Sequence, residues 1–311
     1  MIQEDKIIKA LQAASADGFI GDDAAVLPNL NGSNRYVISK DLLIEDVHFR
    51  TSYFSPEDLA HKALHVNLSD IAAMGAEPLY ILCEISIPSR LQDYAPKFLN
   101  SLTAKCQNAG VTLIGGDTTA SKERLFINIT AIGTAPESNI KYRNGAQASD
   151  LICIIGNLGF AHLGLEQSLT TDTKYINSFL HPEAKIKEGI WLGKLRAVNS
   201  MMDISDGLYI DLKRLASSAG KHAVLDIDLL QNHLRLNVSV QVALEGGEDY
   251  GLLVTIHQDA FEELSHRFME SFGYGLKVVG HITDGDGLSF KQNSKPVEIT
   301  VNHFAHFGER L

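Results

Sequence analysis

A chain of 311 residues, 45% hydrophobic and 21% charged, has enough apolar surface for two domains with full cores. Its net charge of −11 argues against non-specific binding to nucleic acid or to anionic membranes, because both need basic surface. An acidic protein that handles anionic phosphates must recruit metal cations or a local basic pocket.

In chain order, Tyr36 to Ser39 predicts a strand that ends at Asp41. A helix then starts near Ser55, with Ser55 as N-cap, Pro56 at the first helical position and Asp58 as the capping carboxylate. Leu64, Leu68 and Ile71 form its apolar stripe, Asn67, Asp70 and Met74 fall on a neighbouring face, and Gly75 stops it. Leu79 to Ile87 predicts a strand, Tyr94 to Asn108 a helix, and Val111 to Ile114 and Leu125 to Gly133 two further strands. The polar stretch from Pro136 to Asp150 predicts the interdomain connection. Domains are therefore expected at 1–137 and 148–311. In the second, strands are expected at Leu151 to Ile155, Val224 to Ile227, Tyr250 to Ile256 and Leu276 to Ile282. Helices are expected at Ala184 to Ala197, Gly207 to Ala219 and Asp259 to Ser271. The mixture predicts α/β or α+β layers.

Several familiar chemistries find no support. Cys83, Cys106 and Cys153 lie far apart with no C-x-x-C pair, which argues against a zinc site or disulfide scaffold and for a reducing cytoplasm. The segment Met1 to Asp5 has no basic leader character, and no apolar run is long enough to span a bilayer. Asn67-Leu68-Ser69, Asn128-Ile129-Thr130 and Asn237-Val238-Ser239 match glycosylation acceptors by chance. Gly189-Ile190-Trp191-Leu192-Gly193-Lys194 has too few residues between its glycines for a phosphate loop, so it reads as a helix containing two glycines. His61 and His65, at i and i+4, lack the glutamate of a zinc-protease motif and read as polar-face histidines.

Acidic clusters remain. Gly21-Asp22-Asp23, Ser39-Lys40-Asp41, Asn67-Leu68-Ser69-Asp70 and Gly115-Gly116-Asp117-Thr118-Thr119 recur beside predicted strand or helix ends in the first domain. A fifth, Asp203-Ile204-Ser205-Asp206-Gly207, lies in the second. Any one alone reads as turn or cap chemistry, and Asp206 could simply cap the helix after it. Together they predict carboxylates that converge around cations. Oxygen ligands of this kind select Mg²⁺, which commonly also holds phosphate.

The stretches Gly21 to Leu27, Val66 to Ala76, Ile114 to Thr119, Asp203 to Leu208 and Gly246-Gly247-Glu248-Asp249-Tyr250 resemble the thiamine-monophosphate kinase family in order and spacing. The resemblance covers essentially the whole chain. It implies a two-domain aminoimidazole ribonucleotide synthetase-like fold and a homodimer whose N-terminal sheets form a barrel across the interface. It implies ATP and thiamine phosphate as substrates, several Mg²⁺ ions, and no nucleic-acid or membrane partner. Carried over by position, Asp23, Ser39, Lys40, Asp41, Asp70, Asp117, Asp203 and Asp206 would surround metal, with Asp41, Asp70, Asp117 and Asp206 central to catalysis. Gly116, Asp117, Arg143 and Ser205 would contact ATP, and His48, Glu248 and Phe304 would contact the acceptor. Lys40 stands where the family has Thr, Ala120 where Arg is usual, and Lys185 replaces an arginine. The alternatives are another ATP-dependent member of the superfamily with a different acceptor, or a nucleotide-binding homologue without turnover.

Overall fold

The computed structural model describes residues 6, 10–13, 19–28, 32–167, 175–235 and 237–302. The first half contains β1 (Ala25–Pro28), β2 (Asn34–Ile44), α1 (Pro56–Ala73), β3 (Glu77–Pro88), α2 (Tyr94–Asn108), β4 (Thr112–Ser121) and β5 (Phe126–Pro136). Its five strands are ordered β1-β2-β5-β3-β4, antiparallel except where α2 carries the chain from β3 to the parallel β4. α1 opens as its sequence dictates. The Ser55 hydroxyl accepts the Asp58 N–H, and the Asp58 carboxylate accepts the Ser55 N–H in return. Strict alternation along β5 drives Ile127, Ile129, Ala131 and Ala135 into the core that α1 and α2 share with the sheet. On the other face Tyr36, Leu42 and Tyr80 are exposed, and Ile114 of the edge strand β4 is exposed as well.

The second half contains β6 (Asp150–Ile155), α3 (Phe160–Gln167), α4 (Ile176–Leu180), α5 (Ile186–Gly193), β7 (Val198–Ile204), α6 (Leu208–Ser218) and β8 (Lys221–Asp226). It continues with α7 (Ile227–His233), α8 (Val240–Glu245), β9 (Gly251–His257), α9 (Phe261–Phe272), β10 (Lys277–Asp284), β11 (Gly287–Gln292) and β12 (Lys295–Val297). The seven-stranded sheet runs β12-β11-β8-β10-β6-β9-β7. Apolar clusters lie on both of its faces, one around Leu208, Leu212 and Leu215 of α6 and one around Leu264 and Phe268 of α9. β9 is accordingly a nearly unbroken buried run.

Two boundaries differ from expectation in ways that matter for function. β2 does not end at Asp41 but continues to Ile44, so Asp41 lies within a strand. β4 does not end at Ile114. Gly115 to Ser121 stay extended because they pair in register with Leu82 to Pro88 of β3. β7, which carries Asp203, had no clear signal, since Val198-Asn199-Ser200 interrupts its apolar run. The strand expected to reach Ile227 stops at Asp226, whose carboxylate accepts the N–H groups of Asp228 and Leu229 and starts α7.

The halves meet through α1. Gly189 of α5 sits where a Cβ would come 2.2 Å from the Ala72 carbonyl, and the Cα of Gly193 lies 3.1 Å from a Cβ built on Gly75. The two glycines of the rejected phosphate loop thus permit backbone-to-backbone packing. His61 and His65 are not solvated polar-face residues. Their rings stack at 4.1 Å, His61 Nε2 lies 2.9 Å from the Pro182 carbonyl oxygen, and His65 Nδ1 accepts the Ala184 N–H at 3.2 Å.

Candidate active site

Three carboxylates from distant segments converge. Asp23 precedes β1, Asp70 lies in the last turn of α1, and Asp203 lies near the end of β7. One oxygen of each falls within 4.8 Å of the others. The Ser39 hydroxyl donates to Asp70, and the Ser69 hydroxyl donates to Asp203 at 2.9 Å. Asn67 accepts the Asp41 N–H at 3.0 Å while its own amide donates to the Ala63 carbonyl. Asn67, Ser69 and Asp70 of α1 therefore tie the strand, the second half and the converging carboxylates to one helix.

The charge is only partly balanced. Arg143 donates to both oxygens of Asp23, at 2.8 and 3.2 Å, and its backbone N–H donates to Asp22 at 2.7 Å. Burial, followed by repulsion from neighbouring carboxylates, holds the protons of Asp70 and Asp203 well above the usual carboxylate range. Burial and the Asp206 charge push Asp41 up to about 6. Such a set wants a cation. Hard, buried oxygens with one guanidinium among them suit Mg²⁺ in donor type and in sign.

At the start of α6, Asp206 does not cap the helix. The N-cap is Gly207, at φ 109°, with no side-chain bond. Instead buried Asp211 reaches back to accept the N–H groups of both Ser205 and Asp206 at 3.0 Å, and Arg214 bonds Asp206 and Asp211. Burial first, then Asp206, raises Asp211 to about 7. The Gly246 to Tyr250 turn docks on this segment. The Glu248 N–H donates to the Ser205 carbonyl at 2.7 Å and the Tyr250 N–H to that of Ile204 at 2.9 Å. Asp249 accepts the N–H groups of Gly159 and Ala161 at the start of α3.

Other expected site residues lie elsewhere. Gly116 and Asp117 sit on the exposed edge strand β4, and Asp117 is not among the converging carboxylates. A side chain at 116 would bring its Cβ 1.8 Å from the Cys83 carbonyl oxygen, so the strands can approach only with glycine there. Alternation along β2 puts Lys40 on the sheet face opposite Ser39 and Asp41, where its ammonium lies 3.5 Å from Glu84. His48 follows β2 and accepts the Ile44 N–H on Nδ1 at 3.0 Å. Phe304 lies outside the described residues. A cleft of about 400 Å³ is lined by Asn157, Asn177, His181, Lys185 and Asp249.

Sequence reasoning missed Ser69, Asn67 and Asp211 as residues that hold the site together. The first two stood inside the Asn67-Leu68-Ser69-Asp70 motif, where polar residues beside an aspartate on a predicted helix were the available signal. Asp211 was marked only by being an acidic residue in the first turn of a helix, where a carboxylate can reach back to preceding N–H groups.

Residues 21–135 match the AIR synthase related protein N-terminal domain, and residues 148–293 match its C-terminal domain. Thiamine-monophosphate kinase of Haemophilus influenzae is 34% identical over 93% of this chain and 92% of its own. The structure described as AaThiL complexed with AMPPCP and TMP superimposes with a TM-score of 0.83 at 27% identity, covering 98% of this chain and 97% of that one. Thiamine-monophosphate kinase from Stenotrophomonas maltophilia K279a gives a TM-score of 0.75 at 30% identity, over 94% and 96% of the two chains. With both domains matched and the converging carboxylates in place, this chain belongs to the thiamine-monophosphate kinase family of AIR synthase related proteins.

Proposed function

We infer that the chain transfers the terminal phosphoryl group of ATP to thiamine phosphate, giving thiamine diphosphate and ADP. The observation that carries this reading is the convergence of Asp23, Asp70 and Asp203, with the Asp41 charge acting on Asp70 and, among the described residues, Arg143 alone ion-paired with the three. These residues, with Ser39 and Asp206, would hold several Mg²⁺ ions. Bound there, Mg²⁺ supplies the positive charge that lets two polyanions approach and that stabilises the transferring phosphoryl group. Lys40 would contribute at most its backbone. Asp117 and Gly116 are assigned to the ATP side on the family resemblance alone, as are His48 and Phe304 to the acceptor.

The chain's own work is placement. Ser39 and Ser69 each donate a hydroxyl to one carboxylate and so leave its remaining oxygen lone pairs for metal. Asn67 holds Asp41 through its backbone, and Arg143 holds Asp23. Asp211 fixes the Ser205–Asp206 backbone that would contact nucleotide. A general base is unnecessary. A phosphate monoester has a second pKa near 6, so the acceptor is already a charged nucleophile at neutral pH. The cleft lined by Asp249 is of a size that suits a small organic acceptor. The exposed apolar side chains Tyr36, Leu42 and Tyr80 on one sheet face support a homodimer that covers them.

The test is ADP release with thiamine phosphate, with free thiamine, and with aminoimidazole precursors or selenide. Release with thiamine phosphate alone is expected. Equal turnover with free thiamine would contradict the mechanism, because its neutral hydroxyl needs a base. Release only with another acceptor would move the chain elsewhere in the superfamily.

A further inference from the structure

Lys62 is a charged side chain with no exposed surface at all. It projects from α1, one turn before the residues that hold the metal-facing carboxylates. Its ammonium lies 2.7 Å from Glu248 Oε1 in the second half. It also lies 4.1 Å from the ring centre of Phe179 and 5.3 Å from that of Phe54. At that distance from Glu248 the ammonium and the carboxylate form a charged hydrogen bond. Among the described residues Glu248 is the one carboxylate paired with it.

A lysine stripped of water is costly unless something needs its charge. What it holds is an unusual piece of backbone. Glu248 and Tyr250 both have positive φ, 65° and 48°, in a turn preceded by two glycines. Non-glycine residues persist in that region only when their surroundings over-determine them. The same turn donates from the Glu248 N–H to the Ser205 carbonyl, beside Asp206. The ammonium thus grips Glu248 from the first half, while the backbone of Glu248 grips the strand end that carries Asp203 to Asp206.

We propose that Lys62 is a positioning residue for the phosphoryl acceptor: its buried ammonium fixes the Glu248 carboxylate, across the junction of the two halves, in the orientation that receives thiamine phosphate. The proposal rests on the reading of Glu248 as an acceptor contact. Lys62 touches no substrate in this role and acts through Glu248 alone.

The test is a double-mutant cycle with Lys62→Met, which keeps the length and apolar stem, and Glu248→Gln, read as KM for thiamine phosphate and for ATP. K62M is expected to raise the thiamine phosphate KM by about tenfold or more while leaving the ATP KM within about twofold. Added to E248Q, it should raise the thiamine phosphate KM no further, because its effect passes through Glu248. A further rise on the E248Q background, or an equal rise in both KM values, would show a general packing role and overturn the proposal. Should K62M fail to fold, K62M/E248Q removes both charges together, and its comparison with E248Q carries the same decision. A raised KM in E248Q with none in K62M removes Lys62 only. An unchanged KM in E248Q removes Glu248 from the acceptor site, and the proposal with it.

Discussion

Asp70→Asn removes one charge from the three-carboxylate centre and keeps an acceptor for the Ser39 hydroxyl. At the 4.8 Å limit of that cluster, two unit charges repel by about 3.5 kcal/mol at an effective dielectric of about 20. Arg143 offsets much of the Asp23 charge, and burial with the neighbouring carboxylates favours the protonated form of Asp70. Without Mg²⁺ at pH 8, the variant is therefore expected to be more stable than the native protein by about 1–3 kcal/mol. The sign follows from the raised pKa. A carboxyl that holds its proton more tightly when folded destabilises increasingly as pH rises, so the gain should shrink toward zero near pH 4. Urea midpoints in EDTA at both pH values measure this. With Mg²⁺ and ATP the order should reverse, because only the native protein gains binding energy, and turnover should fall by about 10³-fold. A metal-free variant that is less stable at pH 8, or that keeps activity within about tenfold, would refute the reasoning and make Asp70 a structural residue.

Lys40→Thr should leave the dependence of turnover on Mg²⁺ superimposable on that of the native protein, because its ammonium lies beside Glu84 on the far face of the sheet; a steeper Mg²⁺ dependence would return the side chain to the metal centre. Asp249→Asn should flatten the fall in stability between pH 5 and pH 8. Burial raises its carboxyl to about 7 against the opposing N–H bonds, so its contribution is present at acid pH and lost as pH rises through 7, a change on the order of a few kcal/mol. Parallel urea-midpoint curves for the two proteins would contradict this.

The sequence made the centre legible where a short motif placed a carboxylate beside small polar residues at an element end. Asp41 and Asp70 were visible as motif carboxylates, as were the Ser55 cap and the Tyr94–Asn108 helix, whereas the residues that hold them come from each other's motifs, Ser39 on Asp70 and Asn67 on Asp41. It misled where pairing decides the outcome. Gly115 to Ser121 looks like the segment after a strand end, yet hydrogen bonding to β3 keeps it extended. Distance in sequence hid the rest. Nothing near Lys62 announces Glu248, and nothing near Gly189 announces the Ala72 carbonyl that excludes a side chain there. Both are contacts between the two halves, where neither periodicity nor capping chemistry leaves a local trace.

The order in which the centre is assembled bears on how the protein is made. A nascent chain exposes Asp23 and then Asp70 with no guanidinium opposite them until Arg143 has been synthesised, and the third carboxylate arrives only with Asp203. Glu248, the partner of the waterless Lys62, comes later still. On the ribosome, α1 therefore carries an unpaired ammonium and an incomplete cation site for most of translation. Its final burial has to wait for the second half to dock, which makes docking, rather than the formation of either sheet, the event that brings the three carboxylates together.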